Sequence, residues 1–300
     1  MVLATGTTYY YRGGTHSLGS GPSLGGPPGV SYISTGVHHV DQSNIKITAY
    51  PGETPVLAGG YHWLIFGGPG ADNLTVEHLR FTGQRGGVLD NTNQYDPPGA
   101  RGPTNITTRC LSFLNIGETT QNHAIYPAGD GTGTPTTGWL IEYNRFQGVS
   151  GGGVQAFHEN SAHKVIVRRN EFIGNQHGVW LSRQSNDDWL IENNSFRENQ
   201  IAIGVENYAN VTPGAPSNIV VRKNVIDVPR GGIGLRVDSP NTSAVTASEN
   251  SIYSNSGCPV VWDNLHPASP KPCLSSLSSW QATGQGRGDV WENPNSGPNG

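Results

Sequence analysis

A repeat restricts this chain more than any other feature. Seven runs align column by column: LTVEHLRF (74–81), ITTRCLSF (106–113), WLIEYNRF (139–146), VIVRRNEF (165–172), WLIENNSF (189–196), IVVRKNVI (219–226) and VTASENSI (245–252). Their last residues, Phe81, Phe113, Phe146, Phe172, Phe196, Ile226 and Ile252, follow one another at intervals of 24 to 33 residues. Such a unit, rich in β-branched and aromatic residues and without helical periodicity, cannot bury its apolar face alone. Neighbouring units must stack and share a core, as in a solenoid. Strand-rich units of this length predict a parallel β-helix.

Two further columns support this. The fourth position reads Glu77, Arg109, Glu142, Arg168, Glu192, Arg222, Ser248, so the sign alternates from unit to unit. Coils stacked about 4.8 Å apart would place each charge between two opposite ones, which stabilises a sheet. These carboxylates therefore read as structural rather than catalytic. Asn144, Asn170, Asn194, Asn224 and Asn250 fall at one turn of five successive units. They are expected to take the left-handed conformation at the corner and to bond amide to amide along the stack. The Phe or Ile that follows turns inward.

A second strand aligns as VLD (88–90), IYP (125–127), VQA (154–156), VWL (179–181), IGV (203–205), IGL (233–235) and VVW (260–262). Most of its first and third residues are apolar and should point inward at period two. The middle ones, Leu89, Tyr126, Gln155, Trp180, Gly204, Gly234 and Val261, should point outward.

Composition fits a folded solenoid. The 300 residues are 34% hydrophobic and only 13% charged, with net charge -4. That allows a sizeable core and argues against disorder. The slight acidity gives no sign of nucleic-acid binding. No run of 18 apolar residues exists, so no membrane helix is expected. MVLAT at the start is too short for the apolar part of a signal peptide, so the chain reads as a mature or trimmed form. Cys258 and Cys273 flank a Pro-rich loop, where a disulfide is left open, and Cys110 reads as a buried thiol. Residues 7–12 and 45–57 read as earlier, less regular coils. Residues 274–283 suit a short amphipathic helix capping the open end. The Gly-, Asn- and Pro-rich stretch 284–300 reads as a flexible tail. The expectation is one β-helix domain with its cap over 1–283, a tail over 284–300, and a monomer.

Over roughly residues 40–265 the column pattern resembles the right-handed parallel β-helix repeat family, which includes pectate lyases, alginate and chondroitin lyases, polygalacturonases and phage tailspikes. The resemblance implies an all-β, single-stranded right-handed parallel β-helix. It also implies a polysaccharide substrate and a secreted or cell-surface location. NQHGVWL (175–181) is similar to the His-Gly segment of polygalacturonases, which His177-Gly178 match. Where that family carries aspartates on neighbouring coils, this sequence has Asn122-His123, Gly152-Gly153 and Gln200-Ile201. WLIE (139–142) is similar to the start of a pectate lyase run, with Tyr143 in place of its His. No paired aspartates of a calcium site are apparent. No metal ligand is assigned, and calcium remains the one ion a lyase reading would bring.

Candidate site residues come from the second strand and the positions just past it. Tyr126, Gln155 and Trp180 share one outward column. Phe157, Ser182, Glu206, Arg236 and Asp263 align in the next, and His158, Arg183 and Asn207 one position further. With His123 and His177 these describe a groove of aromatic platforms and mixed charge. Aromatic faces stack on sugars and Arg pairs with their carboxylates. The leading expectation is a lyase acting by β-elimination on a uronate-containing glycan, with Arg183 or Arg236 as its cation. Its base would be Tyr126, His158 or His177. His123, Gln155, Trp180 and Asn207 would bind substrate. A glycoside hydrolase would need a second groove carboxylate beside Glu206. A non-catalytic glycan-binding scaffold would need neither.

Overall fold

The computed structural model describes residues 3–18, 32–34, 37–40, 42–66, 71–90, 102–127, 135–156, 162–182, 186–206, 216–238, 241–254, 257–264 and 273–292. These form three long sheets of nine, ten and ten strands. Each coil contributes one strand to each sheet in turn. Almost all pairings are parallel and run from one coil to the next. Tyr32–Ser34 on Val37–Val40 is an antiparallel exception. The chain is therefore a parallel β-helix, as the repeat predicts.

The first sheet carries the charge column in the expected register, Glu77↔Arg109↔Glu142↔Arg168↔Glu192↔Arg222↔Ser248. Arg109 Nε donates to Glu77 at 2.6 Å, Arg168 Nε to Glu142 at 2.8 Å and Arg222 Nε to Glu192 at 2.9 Å. The second sheet carries the aromatic stack. Ring centroids of Phe81, Phe113, Phe146, Phe172 and Phe196 follow at 5.3, 4.9, 4.7 and 4.7 Å, nearly parallel. Offset stacking suits the spacing that the strands impose.

The corner between these sheets is made differently from the expectation. The left-handed residues are His78, Cys110, Tyr143, Arg169, Asn193, Lys223 and Glu249, each one position before the Asn column. The Asn side chains fix that corner instead. Asn170 Nδ2 donates to Asn194 Oδ1 (3.0 Å), Asn194 Nδ2 to Asn224 Oδ1 (3.1 Å) and Asn224 Nδ2 to Asn250 Oδ1 (3.1 Å). Each Oδ1 also accepts a backbone N–H from the coil before. The amide ladder is thus as expected, and its benefit is that buried backbone groups at the corner find partners. Cys110 occupies one left-handed corner and is exposed, so the buried-thiol expectation is corrected.

At the C-terminal end a one-turn helix, Leu277–Gln281, covers the core with the buried Trp280. A helix this short needs tertiary packing to persist. Trp280 stacks edge-on against Trp262, and its Nε1 donates to Asp289 Oδ2 at 2.7 Å. Asp289 Oδ1 accepts from Asn250, which ends the amide ladder on an acceptor. Val290–Glu292 then pairs with Ser251–Ser254. Of the stretch expected as a tail, Val290–Glu292 therefore completes the second sheet; 293–300 lie outside the described residues. Cys258 and Cys273 form a disulfide that ties the last strand of the third sheet to the cap.

Candidate functional site

The third sheet presents the candidate residues. Its central strands are His123–Tyr126, Gly152–Ala156, His177–Ser182, Ile201–Glu206 and Ile233–Asp238. Small residues in one column of these strands turn toward the core. A Cβ on Gly153 would meet Phe172, one on Gly178 would meet Phe196, and one on Gly234 would meet Ile226 and Val228. Gly234 therefore faces inward, against expectation.

The register explains the difference. Ile203 pairs with Leu235 and Gly204 with Arg236. IGL is thus displaced by two positions from its alignment with IGV, and Arg236 belongs in the row of Gln155, Trp180, Gly204 and Val261. Likewise Asp90, not Leu89, pairs with Tyr126. The position beside Glu206 is then filled by Asp238, because Val205 pairs with Val237. Matching six residues, IAIGVE (201–206) on IGLRVD (233–238), brings the two acids together, whereas matching three separates them.

Around this row, aromatic pairs and Gly-cradled polar groups alternate from coil to coil. His123 stacks on Tyr126 with centroids 4.3 Å apart, and His177 on Trp180 at 4.2 Å. Between them the Gln155 side chain folds back over Gly152, where an added Cβ would lie 3.2 Å from Oε1. On the other side of Trp180 the Glu206 carboxylate folds back over Gly204, again 3.2 Å from where a Cβ would stand. Gly204 is what gives that carboxylate its place beside Trp180.

Glu206 Oε1 lies 3.7 Å from His177 Nε2 and 3.5 Å from Arg236 Nη1. Arg236 reaches both acids. Its Nε donates to Asp238 Oδ1 at 3.2 Å and its Nη2 to Asp238 Oδ2 at 3.5 Å. Two carboxylates on adjacent coils therefore flank one guanidinium, with an imidazole beside the first. Glu206 and Asp238 are buried, at 5% and 2% exposure. Gln155 Oε1, His177 Nδ1 and Glu206 Oε1 have no hydrogen-bond partner among the described residues. A buried polar atom without a partner costs about 1–3 kcal/mol, and such atoms call for an explanation such as a catalytic role or a bound group.

Of the residues expected here, Tyr126, His177, Glu206, Arg236, His123, Gln155 and Trp180 share this sheet. Tyr126 and Trp180 are only 4% and 5% exposed, so neither offers the open platform expected of it. Their rings pack against histidines instead. His158, Arg183 and Asn207 lie outside the described residues, as does Phe157. Among the described residues no group of three or more His, Cys, Asp or Glu is placed to hold a metal ion. No helix among them is long and apolar enough to cross a membrane.

Comparison with known proteins agrees with this architecture. The family model described as the right-handed beta helix region matches residues 117–266, half of the chain. The chain belongs to the right-handed β-helix family. Among solved structures it is similar to a mutant tailspike protein of E. coli bacteriophage HK620 in complex with a hexasaccharide. The TM-score is 0.53 at 15% identity, covering 73% of this chain and 40% of the tailspike chain. It is also similar to the pentasaccharide complex of such a mutant, with TM-score 0.51 at 13% identity, covering 83% of this chain and 53% of that one. The chain thus spans about half or less of those tailspikes. No curated protein matches it.

Proposed function

We propose that this β-helix cleaves a polysaccharide by hydrolysis, at the Glu206–Arg236–Asp238 cluster of its third sheet. The observation that carries the reading is the pair of carboxylates on adjacent coils, flanking one guanidinium. Glycoside hydrolysis needs a carboxylic acid to protonate the leaving oxygen and a carboxylate to activate water or attack the anomeric carbon. Glu206, with one oxygen that has no hydrogen-bond partner among the described residues, is left for the first role. Asp238, gripped by Nε and Nη2 of Arg236, is suited to the second. The tailspikes of similar fold were solved with a hexasaccharide and a pentasaccharide, which supports a glycan as the ligand class. The Cys258–Cys273 disulfide supports an oxidising, extracellular setting.

β-Elimination is the second reading. Arg236 supplies a cation in the same row as Tyr126, and His177 supplies an imidazole three residues before Trp180 of that row. The two reactions separate on a polysaccharide panel, run with and without calcium, read by reducing ends and by the ultraviolet absorbance of unsaturated uronates. The expected result is reducing ends without absorbance, lowered at least 100-fold by Glu206→Gln and by Asp238→Asn. Absorbance rising with the reducing ends would replace hydrolysis by elimination. Retention of a glycan with neither signal would reduce the protein to a binding scaffold.

A further inference from the structure

We infer a second ligand site, for an anionic polysaccharide chain, along the corner between the first and second sheets. It is separate from the third-sheet cluster and borrows from the polysaccharide reading only the chemistry of its anion. The corner column runs through Tyr143, Arg169, Asn193 and Lys223 on four successive coils, a path of about 14 Å at strand spacing. An open cavity of about 550 Å³ follows it, lined also by Arg145 and Glu171.

Three observations at this corner call for a ligand. Tyr143 holds φ +57°, a left-handed conformation that bulky side chains rarely adopt. Its ring is nevertheless 48% exposed, so core packing does not explain the choice of residue. Beside it, the Arg169 guanidinium sits over the ring at 5.4 Å from the centroid, and it also donates to the Tyr143 hydroxyl. Arg169 has no carboxylate partner among the described residues. Its cationic neighbours do: Arg145 pairs with Glu171, and Lys223 with Glu249. An exposed ring with an unneutralised guanidinium on it suits a sugar carrying a carboxylate. The ring supplies the stacking face and Arg169 the charge-assisted bond. Arg145 and Lys223 line the same groove but are already paired with carboxylates, so Arg169 carries the recognition of the anion.

A flexible anion of another class, single-stranded nucleic acid, would want a series of aromatic faces along its path. Among the described residues, Tyr143 is the one aromatic residue lining this groove.

The test uses the full chain in the Glu206→Gln background, so that cleavage does not intervene, with oligogalacturonate as the probe. Fully methyl-esterified oligogalacturonate and an oligo-dT of equal charge serve as comparisons. Tyr143→Asn keeps a residue that this corner already accepts at Asn193, and Arg169→Gln removes only the charge. Both variants are expected to fold as the parent does and to weaken oligogalacturonate binding at least tenfold. The ester should bind at least tenfold more weakly than the acid. Unchanged binding in both variants, equal binding of oligo-dT, or no binding of oligogalacturonate by the parent would overturn the inference. Loss of cleavage in Glu206→Gln with the corner still binding would show the two sites to be independent.

Discussion

The amide ladder makes a quantitative claim that Asn194→Ala tests. Asn194 Oδ1 accepts from the backbone N–H of Asn170 at 3.0 Å, and its Nδ2 donates to the Val167 carbonyl at 2.9 Å. Asn170 lies between two strands, where no ladder bond replaces the one to Asn194, whereas Val167 sits in the paired strand Val165–Arg168. Alanine therefore strands the Asn170 N–H and removes a second donor from the Val167 carbonyl. It does not strand the other ladder members. Asn170 Nδ2 keeps the Ile141 carbonyl, and Asn224 Oδ1 keeps the Asn194 backbone N–H. At about 1–3 kcal/mol for one buried group left unsatisfied, the loss is about 1–3 kcal/mol. Urea unfolding followed by far-ultraviolet circular dichroism measures it, from the midpoint and slope. Asn194→Asp is the informative companion. It keeps the acceptor but sets an oxygen against the Val167 carbonyl and Asn224 Oδ1, so it should be destabilised as well. A loss below about 1 kcal/mol in the alanine variant would mean that water or a shifted backbone satisfies the corner, and that the ladder is not what holds it.

Other consequences follow from the stacks, the charge column and the cap. Phe172→Ala, removing a ring between two others at 4.7 Å on each side, should cost about 3–5 kcal/mol in the same unfolding experiment. At Glu77, burial opposes the charge, but the hydrogen bonds and charges of Lys46 and Arg109 outweigh it and hold the carboxyl below its ordinary value. Its stabilisation is therefore complete above the unfolded carboxyl's pKa and lost as pH falls through the lower folded value. Glu77→Gln should accordingly flatten the acid limb of a stability-versus-pH curve, and an unchanged limb would refute the assignment. Reducing the disulfide, which links positions 15 residues apart, should lower stability by up to about 3 kcal/mol. Intact and reduced protein with the same unfolding midpoint would show that the cap holds without it. Gly204→Ala, whose Cβ would press on the Glu206 carboxylate, should depress cleavage more than it lowers the midpoint of unfolding.

What was legible in the sequence was whatever repeats in step with the coil. The Phe stack, the alternating charges and the Asn ladder each depend on contacts between equivalent positions, so alignment alone exposes them. Four matters were not legible, each for a local reason. The left-handed corner falls on His78, Cys110, Tyr143 and other residues with no shared chemistry, because Asn was chosen one position later for its hydrogen bonds. The register of the third sheet turned on short Ile-Gly-rich strings that match equally well at two offsets, and the wrong offset hid Asp238. Parity in the strand predicts outward rings for Tyr126 and Trp180, and both are buried. Parity does not reveal that histidines three residues earlier in the same strands would cover them. The amphipathic pattern shows the cap helix, but the strand Val290–Glu292 lies beyond a Gly-rich stretch that resembles a tail.

The central claim is that the third sheet hydrolyses a glycosidic bond through Glu206 and Asp238. Its most direct test is digestion of the preferred polysaccharide in water enriched in oxygen-18, with mass spectrometry of the products. The account predicts the heavy isotope at every new reducing end, and its disappearance with the products in Glu206→Gln and Asp238→Asn. Unlabelled products carrying an unsaturated terminal sugar would contradict it, because elimination breaks the bond without adding water.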